Sequence, residues 1–309
     1  MRLALPDLIS NSYFPAVAAV ELGCFRDEGL DVTHELIFPV NKSYESLRDG
    51  EVDIIAGSAH SALAAFPEWE GVKLLCAQGQ GMYWFLVMRA DLPFTKGDAS
   101  IVKGRNIGAA PWVSMGLKQL LIAAGLDLER DQVNIAPVPG AVGAGVNFGL
   151  TAAKALEDGK IDGFWANGIG TAVAVQRGIG NVVLDIRRGD GPKEGFNYTM
   201  ASIAVTDKLI KDKPEVAAGT IKALNAAHKK LKADPSLAEK IASKVFPENE
   251  AKLITAAVTK DFPYYTTAIS EDFVAGMNAF ARKEGILKGN PSYDQVVATQ
   301  FANLWTTKP

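Results

Sequence analysis

The sequence predicts a two-lobed α/β fold, each lobe a mainly parallel sheet flanked by helices, with a helical C-terminal region. Three observations predict it. The phrase Leu47-Arg48-Asp49-Gly50-Glu51-Val52-Asp53 returns, with small changes, as Leu156-Glu157-Asp158-Gly159-Lys160-Ile161-Asp162. Apolar strand-like runs alternate with helix-like runs up to residue 205, the pattern of sheets covered on both faces. From Lys208 onward, apolar residues recur at the helical period among Lys, Ala and Glu.

Each copy of the phrase reads as a helix end, an Asp-Gly turn and a strand opening on Val-Asp or Ile-Asp. The strands run into Gly57-Ser58-Ala59-His60-Ser61 and Ala166-Asn167-Gly168. A second parallel precedes them: strand 3–5 leads to helix 14–22, and strand 106–109 to helix 115–124. Two lobes on one plan imply a cleft between them, and a cleft implies a ligand.

In chain order, strand 3–5 ends at Pro6, and Ser12 is placed to cap a helix that Gly23 stops. Gly29-Leu30-Asp31-Val32 restarts a strand, and a short helix spans 42–48. Strand 52–56 and helix 61–66 follow, then strand 72–77. The run 84–89 is a strand suited to the first connection between lobes. The second lobe carries strands 106–109, 133–136, 163–165 and 181–185, and helices 115–124, 151–156 and 169–176. Its stretch 137–149, rich in Gly and Pro, reads as a loop. Strand 200–205 returns to the first lobe. Beyond it, Lys213-Pro214, Asp234-Pro235, Phe246-Pro247 and Phe262-Pro263 mark helix starts in a region expected to pack around the first lobe. The expected division is residues 1–88 with 199–309 as lobe one and 89–198 as lobe two.

A chain of 309 residues buries a large core and divides into two such lobes. Its 48% hydrophobic and 22% charged content is ordinary for a globular protein. A net charge of −3 with no basic stripe argues against nucleic acid as a partner. No apolar run reaches the ~18 residues a spanning helix needs. The start, Met1 to Pro6, reads as a strand and not as an export leader; whether a leader was removed stays open. Cys24 and Cys76 read as small buried apolar residues, with a single bridge between them as the other option.

In mainly parallel sheets the ligand crevice lies beyond the carboxyl ends of the strands. Those ends are Ser10-Asn11-Ser12-Tyr13, Gly57 to Ser61, Pro111-Trp112-Val113-Ser114 and Ala166-Asn167-Gly168. All enter helix N-termini, whose free N–H groups suit anions and polar acceptors.

At this point the chain resembles the substrate-binding proteins of ABC importers, of the nitrate/sulfonate/taurine and thiamine-precursor type. The residues that carry the resemblance run from Ala18-Ala19-Val20-Glu21-Leu22-Gly23-Cys24-Phe25 through Arg26-Asp27-Glu28-Gly29-Leu30-Asp31-Val32. They continue with 47–53 and Gly57-Ser58-Ala59, with Val102-Lys103-Gly104-Arg105-Asn106-Ile107-Gly108, and with 156–162. The resemblance implies a periplasmic-binding-protein-like fold of type II that closes by hinge motion on a small ligand. It also implies a periplasmic location, a membrane permease as partner, a monomer, no catalysis and no cofactor.

Ligand contact is expected from Ser58, His60 and Ser61 on the first lobe, and from Trp112, Ser114, Trp165 and Asn167 on the second. Family members place small polar residues where Trp112 stands, so this residue is a departure that suggests a flat ligand. Trp112 and Trp165 are expected to flank a ring, with Ser58, His60, Ser114 and Asn167 on its polar end. Asn11, Tyr13, Tyr83, Trp84 and Tyr198 are further candidates by position. His34 and His228 read as ordinary strand and helix-surface residues. The cleft loops lack a central Arg or Lys to pair with a small anion. The expected ligand is therefore larger: an aromatic carboxylate, a sulfonate or a pyrimidine.

The same fold resembles two enzymes, a sulfinate desulfinase with a nucleophilic Cys and a thiamine-pyrimidine synthase with a cysteine-rich segment. The residues match neither pattern. No phosphate loop, metal-ligand cluster or nucleophile elbow is present, and nothing in the spacing sets a base beside Cys24. A cytosolic small-molecule sensor built on the same lobes is a third option.

Overall fold

The computed structural model describes every residue except 9, 142–146, 245, 247 and 307–309. The strands are β1 (Arg2–Leu5), β2 (Thr33–Leu36), β3 (Ile54–Ser58), β4 (Val72–Gly79), β5 (Phe85–Arg89), β6 (Asn106–Ala109), β7 (Asn134–Ala136), β8 (Gly163–Ala166), β9 (Gly180–Asp185) and β10 (Ala201–Thr206). The helices are α1 (Phe14–Glu21), α2 (Cys24–Asp27), α3 (Val40–Arg48), α4 (Val113–Ala123), α5 (Phe148–Glu157) and α6 (Gly168–Gln176). The C-terminal region adds α7 (Asp207–Asp212), α8 (Pro214–Ala233), α9 (Ser236–Ala242), α10 (Glu248–Asp261), α11 (Glu271–Lys283) and α12 (Tyr293–Val296).

Two five-stranded sheets result, in the orders β2-β1-β3-β10-β4 and β7-β6-β8-β5-β9. Both are mixed on one plan. Three strands pair in parallel, and a fourth position holds a strand antiparallel to both its neighbours. That antiparallel strand is the crossover: β5 carries the chain into the second sheet, and β10 carries it back into the first. The edge strands β4 and β9 therefore run the same way as the parallel set.

The repeated phrase has a physical meaning in these sheets. Gly50 and Gly159 end α3 and α5 at φ +76° and +68°, conformations that favour glycine. The next amide, of Glu51 or Lys160, reaches back to the carbonyl of Ser46 or Ala155, 2.9 Å in each case. Asp53 and Asp162 then do one job twice. Their side chains accept the first amide of the neighbouring strand, Arg2 at 2.8 Å and Asn106 at 2.9 Å. So the phrase both stops a helix and sets the register of the strand that follows.

Several elements differ from expectation for local reasons. Residues 29–32 do not start a strand. Gly29 takes φ +74° and the Leu30 amide bonds the Phe25 carbonyl at 2.9 Å, closing α2 instead. The segment after β3 is a 3-10 helix, Ala59–Ala64. The expected loop 137–149 is shorter at its end, because Asn147 accepts the Leu150 amide at 3.1 Å and starts α5; its residues 142–146 lie outside the described set. Pro214 opens α8 and Pro235 caps α9, whereas Phe262-Pro263 opens only a 3-10 turn. Pro247 lies outside the described residues.

The C-terminal helices do not serve the first sheet alone. α8 packs on α1 and α2, while α10 packs on α6 beside the second sheet. His228, read as a helix-surface residue, is instead buried in α8 and stacked on Tyr265 with ring centroids 5.0 Å apart. Cys24 and Cys76 are buried and free. Among the described residues no helix is long and apolar enough to cross a membrane.

Candidate functional site

A narrow slot opens between the carboxyl ends of the two sheets. The ends of β1 and β2 contribute Pro6, Asp7, Tyr13, Phe38 and Val40. The ends of β6 and β8, with the helices they feed, contribute Ala110, Pro111, Val113, Trp165, Ala166 and Asn167. Trp84, just before β5, and Phe148, at the start of α5, complete the lining. The free volume is only about 30 Å³, room for roughly two waters. The two walls are therefore closed on one another. Larger hollows exist beside His228 (about 440 Å³) and between α6, β9 and α10 (about 570 Å³). The first lies behind α8 and the second on the flank of the second sheet, so the slot is the better candidate despite its size.

Four of the sequence-derived candidates line the slot: Tyr13, Trp84, Trp165 and Asn167. Trp84 and Trp165 meet edge-on at 6.2 Å and 65°. Trp165 is fully buried, and its indole Nε1–H has no hydrogen-bond partner among the described residues. Tyr13 packs edge-on against Tyr83 at 5.5 Å, and the two phenols hydrogen-bond. Burial, foremost, raises the pKa of both, so both stay neutral. Asn167 precedes α6, and its side chain makes no capping bond.

The remaining candidates stand elsewhere. Ser58 and Ser61 are buried and bond each other, Oγ to Oγ at 2.6 Å. Trp112 packs on a buried apolar cluster of the first lobe that includes Val40, Tyr44, Leu63 and Met277, and Ser114 faces a shallow hollow with Lys118 and Glu284. Tyr198 stacks on Phe280 at 4.8 Å, and its hydroxyl has no hydrogen-bond partner among the described residues. Asn11 joins a buried charge network with Asp261 and lines the flank hollow. Asp7, Phe38 and Phe148 were missed by sequence reasoning. Asp7 could have been found as the first charged residue past β1. Phe38 and Phe148, stacked at 6.3 Å, come from loops whose meeting the sequence does not announce.

His60 links the two walls behind the slot. Its Nε2–H donates to the Trp112 carbonyl at 3.2 Å, and Nδ1 accepts from the Thr199 hydroxyl at 3.0 Å. Trp112, at φ +67°, holds a backbone conformation uncommon for a bulky residue, which turns this carbonyl toward His60. Burial, only partly opposed by the Trp112 carbonyl, lowers the imidazole pKa from 6.5 to about 4. A folded pKa below the unfolded one means the unfolded chain takes up the proton first. Stability is then full above about 6.5 and falls as pH drops toward about 4. The loss from His60 is on the order of 3 kcal/mol; His228, likewise lowered to about 4 by burial, acts in the same direction. Denaturant melts across this range should show the slope, and His60→Gln should flatten part of it. An unchanged slope would place the buried proton acceptor elsewhere.

The sequence matches the model of the family described as NMT1/THI5 like over residues 10–238. No curated protein matches it. Among solved structures, a putative periplasmic sulfonate-binding protein of an ABC transporter from Methylobacillus flagellatus KT superimposes with a TM-score of 0.70 at 17% identity, over 98% of this chain and 92% of that one. The periplasmic nitrate-binding protein NrtA from Synechocystis PCC 6803 gives 0.66 at 13% identity, over 95% and 83%. The desulfurization enzyme DSZB gives 0.62 at 15% identity, over 98% and 97%. At these identities the structures speak for the fold, which is two-lobed and periplasmic-binding-protein-like. With the family model matched over most of its length, the chain belongs to the NMT1/THI5-like family.

Proposed function

We propose that this protein is the solute-binding component of an ABC importer. It captures one small organic ligand in the slot and presents it to a membrane permease, from the periplasm and without turning it over. The observation that carries this is the slot itself: both sheets bring their carboxyl ends to it, and its walls nearly touch in the closed form. The divisions expected at 88 and 199 shift to the links between the sheets, because all of β5 lies in the second sheet: one lobe is built on residues 1–79 with 201–309 and the other on 85–185. They part in the links 80–84 and 186–200, so that a ring can enter between Trp84, Trp165, Tyr13, Phe38 and Phe148. Closure follows when a ligand contacts both walls better together than apart. Aromatic carboxylates, sulfonates and pyrimidines are the classes to screen. The solved neighbours named for sulfonate and nitrate binding support the transport role.

The test is a thermal-shift screen followed by solution scattering with the best stabilising compound. A smaller radius on binding, with the compound recovered unchanged, is the expected outcome; equal radii, or chemical conversion, would count against it.

An enzymatic reading has one observation in its favour, the similarity to DSZB. Against it, burial raises the pKa of both thiols, Cys24 and Cys76, whereas a nucleophilic cysteine needs its thiolate. The His60 imidazole already has both nitrogens engaged. Turnover abolished by Cys24→Ser would restore that reading.

A further inference from the structure

We infer that the flank hollow between α6, β9 and α10 is a second small-molecule site, suited to a neutral ligand with an apolar body and one end that both donates and accepts hydrogen bonds. A primary amide carried on a ring is the simplest such molecule. The site is separate from the slot and stands whether or not the slot takes a ligand. At about 570 Å³ the hollow has the size of an ordinary ligand pocket. It lies on the seam between the lobes. Phe85, Val175 and Val182 line it from the second lobe, and Leu253, Ala256 and Ala257 of α10 from the first.

Two polar atoms point to a ligand there. Thr171, near the start of α6, and Asn11, in the loop after β1, both line the hollow and are 6% and 3% exposed. The Thr171 hydroxyl and the Asn11 Oδ1 have no hydrogen-bond partner among the described residues. Helical threonines in this chain otherwise show where such a hydroxyl goes. Thr220, Thr255 and Thr259 each return it to the carbonyl four residues back, at 2.8, 3.1 and 2.8 Å; Thr171 does not. The Asn11 Nδ2 donates to Asp261, which occupies one half of the amide and leaves the other. Buried polar groups are normally paired, so two orphans from opposite lobes in one hollow are places for a third molecule.

The charges around the hollow favour a neutral one. Asp185 bonds Arg188 at 2.9 Å, and Asp261 bonds Arg188 at 2.7 Å and Arg187 at 2.8 Å. Lys96 pairs with Asp190 at 3.6 Å, and Lys260 is exposed at the end of α10. The buried charges of the lining therefore already have counter-ions, and a charged ligand gains one only by breaking a pair. What stays open is a hydroxyl and an amide carbonyl. A ligand amide meets both, its N–H on Asn11 Oδ1 and its C=O on the Thr171 hydroxyl. A carboxylate cannot donate to Asn11 Oδ1, and a hydrocarbon meets neither.

Benzamide, benzoate and toluene share one ring and separate the cases when each is titrated calorimetrically into the full chain. Benzamide should bind about tenfold more tightly than either of the others, because both of those leave buried polar groups unpaired. Thr171→Val keeps the shape and removes the hydroxyl. It should weaken benzamide by about fivefold or more without lowering the melting temperature of the unliganded protein, since an orphaned group is lost. Ala172→Phe from α6 and Ala257→Phe from α10 fill the hollow and should each abolish binding, so one suffices if the other does not fold. Benzamide affinity that Thr171→Val leaves intact, or that survives filling of the hollow, would overturn the inference, as would benzoate or toluene binding equally well. If benzamide gives no heat of binding at millimolar concentration, the two orphaned atoms serve water alone and the inference falls.

Discussion

Asp261→Ala should cost about 3–5 kcal/mol of stability, among the largest effects of any single substitution in this chain. Asp261, at the end of α10, is 1% exposed and bonds two guanidinium groups, Arg187 at 2.8 Å and Arg188 at 2.7 Å. Arg187 also donates to the Ser12 hydroxyl at 3.2 Å and the Gly81 carbonyl at 3.1 Å, and Asn11 donates to Asp261. Arg188 is shared with Asp185 at 2.9 Å. Three parts of the chain thus meet on one carboxylate: the loop after β1, the turn after β9 and the end of α10. Removing it leaves Arg187, itself 1% exposed, as a buried charge without its ion-pair partner. A melting-point drop on the order of 10 °C is expected. The double variant Asp261→Leu with Arg187→Met should be milder than the single one, because a missing pair costs less than an orphaned charge. A single variant within about 1 kcal/mol of wild type would mean that water already reaches the network and shares its charge.

Trp84→Ala should destabilise by about 3–5 kcal/mol and also remove most ligand affinity. Trp84 is 2% exposed and touches aromatic partners on both sides of the interface: His60 at 6.1 Å, Tyr83 at 5.1 Å and Trp165 at 6.2 Å between centroids. It also explains Gly116 in α4, where a Cβ would lie 3.2 Å from the Trp84 ring and 3.1 Å from the Met82 sulfur. Small residues there let α4 close on the indole. Truncation empties this space at the slot wall. Trp84→Phe should recover much of the stability and part of the affinity. If Trp84→Ala lost stability but bound as before, Trp84 would be a packing residue only.

Much of this arrangement was legible in the sequence because local rules carry it. The Asp-Gly turns and the strand-opening Asp53 and Asp162 act within a few residues, or on the adjacent strand, so the repeated phrase reported two matching sheets. β6 has its expected limits because Ile107-Gly108-Ala109 is a short apolar run that Asn106 opens after the turn at Gly104. The site was harder. Tyr13, Trp84, Trp165 and Asn167 stand at strand ends that sequence reasoning could locate. Asn11 stood at such an end too, but its side chain is claimed by Asp261, 250 residues away. Trp112 sits on a left-handed turn that no glycine announced, and it packs on the first lobe's apolar cluster. Phe38 and Phe148 meet only because the two sheets close on each other, and a local pattern holds no record of that.

The exchange of crossover strands also constrains the order in which the chain can be assembled. Among the described strands β4 pairs with β10, beside a single bridge from Leu74 to Val297, and β3 and β4 are joined through β10. On a ribosome β4 emerges long before β10, with the whole second sheet synthesised between them. The second sheet uses strands from one uninterrupted stretch, β5 to β9, and its ladders need no strand made later. The newborn N-terminal half must therefore carry two unpaired strand edges, on β3 and β4, until the later half has been made. Bringing β10 back closes a long loop, whose entropic cost grows only slowly with length but must be met before any ladder bond forms. Open edges invite pairing with other chains. This architecture thus places its period of greatest exposure to aggregation in synthesis, and β10 is the strand that ends it.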